Sequence, residues 1–167
     1  MSGGEDLAFL GEEFLTWLWF RIERDGGEFE IAPRRTVAVS MDDFLSFAPR
    51  ADDETEQTLR KGLPTRSAEG RAALRNGRRL RRARLVVAEG AQQFALVLDG
   101  PNLHLSGVRL PDDPEDVDEN ERGRARIDAF KTIVGIVHGL YALFLRDRLR
   151  GDYLQTAGAE QATWMAQ

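Results

Sequence analysis

The sequence predicts an α+β domain in which an antiparallel sheet is packed by an N-terminal helix and a long C-terminal helix. Three features predict this class: an apolar helical segment near the start, three strand-like segments joined by tight turns in the middle, and a long apolar segment toward the end. A chain of 167 residues suits one domain. We assign residues 1–150 to that domain and residues 151–167 to a C-terminal tail, in which Trp164 is the one anchor candidate.

The first helix is predicted over residues 5–24, because apolar side chains recur there at spacings of three and four. Phe9, Trp19 and Phe20 fall in or beside the opposite, polar sector, so the segment is apolar nearly all round. Such a helix either lies deep in a core or binds a partner on its second face. Burial in the core is the simpler interpretation, and Phe9, Trp19 and Phe20 form the candidate partner interface.

Strands are expected in the part of the chain that follows. Residues 28–31 and 36–40 alternate apolar with small or polar side chains, which indicates two strands with one covered face. The apolar pattern continues toward Pro49, and a charged loop is predicted at 50–56. Residues 58–64 are interpreted as another short strand.

A short helix and a three-stranded meander are predicted next. Ser67 is a suitable N-cap, and the Asn76-Gly77 pair favours a helix end because both residues tolerate the left-handed conformation. Antiparallel strands are then predicted over residues 80–88, 92–98 and 103–110.

The last helix is predicted over residues 121–150, after an acidic linker. Two adjacent apolar stripes run along it, which implies burial against a sheet, or against a sheet and another helix. The first stripe contains Ile127, Phe130, Val134, Val137, Tyr141 and Phe144, and the second contains Ile133, Ile136, Leu140 and Leu143. The longest nearly uncharged stretch, 132–145, is shorter than the roughly 20 apolar residues that cross a bilayer, so no membrane contact is expected.

Cysteine usage and the N-terminus favour a cytoplasmic protein. The chain has no cysteine, which suits a reducing compartment and excludes disulfides, thiolate nucleophiles and Cys-ligated metals. The first residues lack a basic start and the apolar run comes late, so no signal peptide is predicted.

Side chains that commonly carry catalysis are sparse. His104 and Ser106 point to one side of a predicted strand, a pair that is common by chance. His138 lies inside an apolar helix, where a core or interface histidine is the simpler interpretation. No helix carries two histidines at metal-ligand spacing, and no glycine loop with a phosphate-binding lysine occurs. We therefore predict a non-enzymatic protein with no metal and no cofactor.

Charge is concentrated in one block. Residues 60–84 contain ten basic side chains and one acid, so this segment carries +9 and the rest of the chain −14. Arginine suits phosphate because its planar guanidinium binds two oxygens at once, so a helix-turn-strand unit of this kind can follow a phosphate backbone. The alternative is a solvated surface that pairs with the acidic loops. The candidate DNA contacts are Arg71, Arg75, Arg78, Arg79, Arg81, Arg82 and Arg84.

Three ordered segments carry a resemblance to a known family. They are residues 9–20 (FLGEEFLTWLWF), residues 72–80 (AALRNGRRL) with the hairpin through 83–85 and 94–96, and residues 140–145 (LYALFL). In this order and spacing they resemble the C-terminal part of RdgC, the recombination-associated protein family of bacteria. The resemblance covers residues 7–149, and no single motif in it is catalytic.

The resemblance implies a nucleoid-associated cytoplasmic protein that forms ring-shaped dimers around duplex DNA. RdgC proteins bind DNA with little sequence preference and restrain RecA-mediated strand exchange. The basic block would then face DNA, and the chain would be a homo-oligomer, with a dimer favoured. The family's N-terminal part has no counterpart in this sequence, and the net charge is −5, which raises the alternative of a relative that kept the fold without DNA binding.

Two functions are compatible with these observations. The leading hypothesis is sequence-independent DNA binding of the RdgC type, with a role in recombination. The alternative is a protein-interaction or assembly module that uses Phe9, Trp19, Phe20 and the last helix, with the arginines docking an acidic partner. Arginines on one exposed face free of carboxylates favour DNA, whereas arginines tied to the acids at 52–56 or 112–121 favour a protein partner.

Overall fold

A computed structural model describes residues 3–50, 52 and 54–167, without the side chains of residues 3–10. The main elements are α1 (Gly3–Asp25), β1 (Glu28–Ala32), β2 (Arg35–Phe47), β3 (Gln57–Arg60), α2 (Ala68–Arg75), β4 (Leu80–Glu89), β5 (Gln92–Asp99), β6 (His104–Arg109), α3 (Glu119–Arg148) and α4 (Ala157–Met165). The predicted α+β class, with an antiparallel sheet, an N-terminal helix and a long C-terminal helix, is confirmed.

The six strands form one antiparallel sheet in the order β1-β2-β4-β5-β6, and β3 pairs with the last residues of β2. The predicted meander corresponds to β4, β5 and β6. The second strand, predicted to end at Ser40, continues to Phe47. Its pairing with β4 shifts between Met41 and Leu45, and this bulge interrupts the alternation that marks a strand in sequence.

The two faces of the sheet differ in what covers them. Side chains on one face are buried beneath α1 and α3; they include Val37, Val39, Leu85, Val87, Phe94 and Leu96. The opposite face carries the intervening side chains, most of which are exposed or half-buried, whereas Ser46 is buried. It is therefore an open face, with no helix of the described part of the chain packed over it.

Helices α1 and α3 meet through aromatic rings. Phe14 and Trp17 of α1 contact Phe144 of α3, with ring centroids 5.6 Å and 5.5 Å apart. Trp17 donates a hydrogen bond from Nε1 to Asp147 at 2.9 Å, so its polar atom is satisfied at the edge of the core. This seam fixes α3 beside α1 on the sheet.

The C-terminal tail folds back onto α1. It forms a 3-10 turn, Tyr153–Gln155, and helix α4. Trp164 of α4 is only 8% exposed and contacts Trp19 and Phe20, with ring centroids 5.4 Å and 5.5 Å away. Trp164 is thus the anchor of the tail.

One carboxylate joins this tail to two other helices. Glu23 of α1 accepts hydrogen bonds from Nε1 of Trp164 at 2.7 Å, from Nε1 of Trp19 at 2.8 Å and from Arg71 of α2 at 2.5 Å. The Arg71 guanidinium also lies over both indoles, 5.7 Å from the ring centroid of Trp19 and 5.2 Å from that of Trp164. We call Trp19, Glu23, Arg71 and Trp164 the latch, because charge-assisted hydrogen bonds and cation–π contacts hold α4 there.

Candidate interaction surfaces

The seven candidate arginines lie on α2, on the turn after it and on β4. Arg71 pairs with Glu23 at 2.5 Å and Arg79 with Glu12 at 2.9 Å, both on α1. Arg75 donates instead to the backbone carbonyl of Gln167 at 3.1 Å. These side chains therefore bind parts of their own chain on the helical side of the molecule.

Strand β4 and the turn before it carry the remaining candidates. Each of these arginines has a partner within the chain. Arg78 donates to the backbone carbonyl of Thr55 at 2.9 Å, and Arg81 lies 3.9 Å from the carboxylate of Asp99. Arg82 pairs with Glu56 at 2.5 Å, and Arg84 pairs with Asp43 at 3.1 Å. The seven arginines thus do not form one face free of carboxylates, and one of the 52–56 acids is among their partners. This arrangement favours the protein-interaction alternative.

Glu56 is the carboxylate most affected by this pairing. It accepts a hydrogen bond from the hydroxyl of Ser46 and another from Arg82. These two bonds, that from Ser46 first, lower the pKa of Glu56 below its ordinary value, because both stabilise the charged form. Glu56 is therefore ionised at neutral pH and neutralises Arg82.

The predicted partner interface on α1 is covered by the chain itself. Trp19 is 1% exposed and Phe20 4% exposed, both beneath Trp164. An interface on these two residues is therefore excluded while α4 is docked, and the expectation is corrected. The side chain of Phe9 lies outside the described residues.

Neither histidine is part of a cluster suited to chemistry. His104 and Ser106 are exposed on β6, and His138 is exposed on α3. In the described part of the chain, no group of three or more His, Asp or Glu side chains is arranged to hold a metal ion.

Helix α3 has an exposed apolar face at a position where the sequence predicted burial. Of the first predicted stripe, Val137 and Phe144 are fully buried, whereas Ile127 is 58% exposed and Phe130 47% exposed. The expected burial of that stripe is therefore wrong at its N-terminal end. Ile127 and Phe130 share a line with half-buried Val134 and exposed His138, at spacings of three and four. We call Ile127, Phe130, Val134 and His138 the outer stripe.

The apolar character of α3 extends well beyond its contacts with the core. By length and composition alone, α3 is apolar enough to cross a membrane, and only 28% of its most apolar window is buried. Its buried side chains nevertheless include Ile133, Ile136 and Leu140, which face the core. The helix therefore has one satisfied face and one face still in contact with solvent.

One region of the open face of the sheet carries small aliphatic side chains. Backbone pairing joins Ala38 to Ala88 and Val86 to Ala95, and Val97 follows on β5. Four of these residues are half-buried by their neighbours, and Ala38 is exposed. We call Ala38, Val86, Ala88, Ala95 and Val97 the open sheet patch.

A cleft of 860 Å³ lies beside the latch, between α1, β2 and the connection from β3 to α2. Trp19, Ile22 and Met41 contribute apolar surface, and Asp42 and Arg66 contribute opposite charges. The mixture of charges gives the cleft no preference for an anion or a cation.

Comparisons with family models, curated proteins and solved structures found no match for this chain. The resemblance to RdgC proteins therefore rests on the sequence segments alone, and it stays a prediction.

Proposed function

We propose that this chain is a non-enzymatic assembly module that associates with itself through the outer stripe of α3. The exposure of Ile127 and Phe130 on a helix whose other face is fully packed is the observation that carries this proposal. Contiguous apolar surface on a soluble domain commonly marks a site of protein contact. The resemblance to RdgC, whose members are dimers, agrees with self-association in the cytoplasm.

The free energy available for association comes from the apolar surface of Ile127 and Phe130 that remains exposed to water. Full burial of an Ile or Phe side chain contributes about 1.5–3 kcal/mol. About half of each side chain is already covered, so removing the rest of Ile127 and Phe130 from water contributes about 1 kcal/mol each. Together they contribute about 2 kcal/mol, which is less than the roughly 4 kcal/mol of a millimolar contact, so the rest of the interface has to contribute the remainder of a weak, concentration-dependent association.

Sedimentation velocity over a wide range of concentrations tests this function. The wild type is expected to sediment faster as its concentration rises, and Phe130→Glu is expected to abolish that change because a carboxylate cannot be desolvated in an apolar contact. Leu154→Glu is the matched control, because Leu154 is 72% exposed and lies outside α3. A wild type that stays monomeric at every concentration would contradict self-association.

DNA binding of the RdgC type is the second candidate, and the exposure of the paired arginines favours it. The side chains of Arg79, Arg81, Arg82 and Arg84 keep between 39% and 45% of their surface exposed. Exposed ion pairs contribute only about 0–1 kcal/mol, so phosphates can replace the carboxylates without a large loss of stability. Duplex DNA would then bind through its backbone, independently of sequence.

Fluorescence anisotropy with duplex DNA across a salt series tests this candidate. Arg82→Gln with Arg84→Gln is expected to weaken binding and to reduce the slope of log affinity against log salt by about 1.8, or about 0.9 for each lost phosphate contact. Arg122→Gln with Arg124→Gln removes the same charge from α3 and is the control. Absence of binding at low salt by the folded wild type would exclude this candidate.

A further inference from the structure

Two apolar surfaces of this molecule lie on opposite sides of the sheet. The outer stripe belongs to the helical layer, and the open sheet patch lies on the face that no described helix covers. We infer that the outer stripe of one copy packs on the open sheet patch of a second copy. This inference rests on the proposed self-association and names the surface that the outer stripe contacts.

The two surfaces differ in the size of their side chains. The outer stripe projects large side chains, chiefly Ile127 and Phe130, from a convex helix. The patch presents alanine at Ala38, Ala88 and Ala95, so the sheet leaves room for them. Within domains, helices commonly cover the faces of sheets. The helix of a second copy would cover the open face of this sheet in the same way.

Charges beside the two surfaces are also complementary. Arg124 and Lys131 are exposed and flank the outer stripe on one side of α3. Glu28 and Glu30 of β1 are exposed on the open face, where Glu28 is paired with Ala38 of the patch. Arg109 and Arg84 lie on the other side of the patch, where they pair with Ala95 and Val97, so the helix is expected to dock with Arg124 and Lys131 directed toward β1.

The contact is heterologous, because it joins two different surfaces of the same chain. Each copy that docks its helix still offers its own patch to another copy, so assembly continues beyond two chains unless the arrangement closes into a ring. The outer stripe spans about 17 Å at 1.5 Å per residue, which is short for an interface. We therefore expect association that depends strongly on concentration.

Mixing two deficient variants tests the arrangement by sedimentation velocity. Phe130→Glu disables the helix surface, and Ala95→Glu disables the sheet surface. Each variant alone is expected to be monomeric, whereas an equimolar mixture is expected to form a heterodimer that grows no further. The heterodimer forms because one chain keeps an intact helix surface and the other an intact patch. Ala38→Glu is a second patch variant at an exposed position, in case Ala95→Glu perturbs folding.

The remaining outcomes separate this inference from the proposed function. If both patch variants associate like the wild type while Phe130→Glu is monomeric, the outer stripe still mediates assembly but its contact is not the sheet, and the inference is overturned. Two monomeric variants whose mixture stays monomeric would overturn it as well. A wild type that is monomeric throughout would overturn both the inference and the self-association.

Discussion

Helices α1 and α3 carry nearly the same sequence pattern and reach different environments. Both are apolar over more than one face, and both pack against the sheet. The second face of α1 is covered by α4, which leaves Trp19 and Phe20 only 1% and 4% exposed. The outer stripe of α3 receives no such cover from the described part of the chain, and Phe130 remains 47% exposed.

The difference lies in what covers the second apolar face of each helix. On α1 the cover is supplied within the chain and held by the latch, in which Glu23 joins three elements through hydrogen bonds. On α3 no element in the described part of the chain supplies such a cover, which is why the proposed assembly surface lies on α3. Three predictions test that contrast, and a fourth tests the ion pairs beside the open face of the sheet.

The largest effect is expected for the two phenylalanines on opposite faces of α3. Phe144→Ala removes a fully buried ring that contacts Phe14 and Trp17, so we expect a loss of about 4 kcal/mol in the free energy of unfolding. Phe130→Ala, measured on dilute monomer, is expected to lower the free energy of unfolding by only about 1 kcal/mol, because about half of that ring is already in water. Urea denaturation gives both values. Equal losses would mean that the outer stripe is packed within the monomer.

The cover over α1 is tested by Trp164→Ala. Removing an indole that is 8% exposed and packed on Trp19 and Phe20 is expected to cost about 3 kcal/mol in unfolding free energy. The variant is also expected to bind a hydrophobic dye, because it uncovers an aromatic surface like the one on α3. Leu154→Ala, at a position that is 72% exposed, is the control and is expected to be nearly neutral. If Trp164→Ala left the free energy of unfolding unchanged, the docking of α4 would be contradicted.

A smaller effect is expected from the charge of the latch. Glu23→Gln keeps the shape of the side chain but removes the ion pair with Arg71, which lies at 2.5 Å, so we expect a loss of about 1 kcal/mol in urea denaturation. Glu160→Gln on α4 removes the exposed pair with Arg24 of α1, and its effect on the free energy of unfolding should stay within about 0.5 kcal/mol. If Glu160→Gln lowers the free energy of unfolding as much as Glu23→Gln does, the latch stabilises the fold no more than an ordinary surface ion pair.

The fold was largely predictable because its elements are encoded locally. Ser67 was predicted as an N-cap, and its side chain accepts a hydrogen bond from the backbone of Gly70 at 3.0 Å. The meander followed from alternation and turn residues. The end of β2 was missed because a bulge interrupts that alternation, and α4 was missed because a short helix held by the latch carries little periodicity of its own.

The surfaces were less predictable because burial depends on which elements meet in space. Periodicity identified apolar stripes on both long helices, but it contained no information on which stripe the tail would cover. Charge density marked the arginines correctly as a group, yet their partners are distant in sequence, as with Arg84 and Asp43 or Arg79 and Glu12. The open sheet patch was missed because small residues on alternate positions give only a weak pattern.

The smallest effect concerns the pH dependence of the arginine pairs beside the open face. Hydrogen bonds from Ser46 and Arg82 lower the pKa of Glu56 in the folded chain, so this carboxylate stabilises the fold above its ordinary pKa. The stabilisation is lost as the pH falls through the lowered folded-state pKa. Glu56→Gln is therefore expected to be less stable than the wild type at neutral pH and to approach it in acid, as measured by urea denaturation at a series of pH values. Because the pair is on the surface, the difference should shrink in high salt. A constant difference at every pH would mean that Glu56 contributes through its shape and not through its charge.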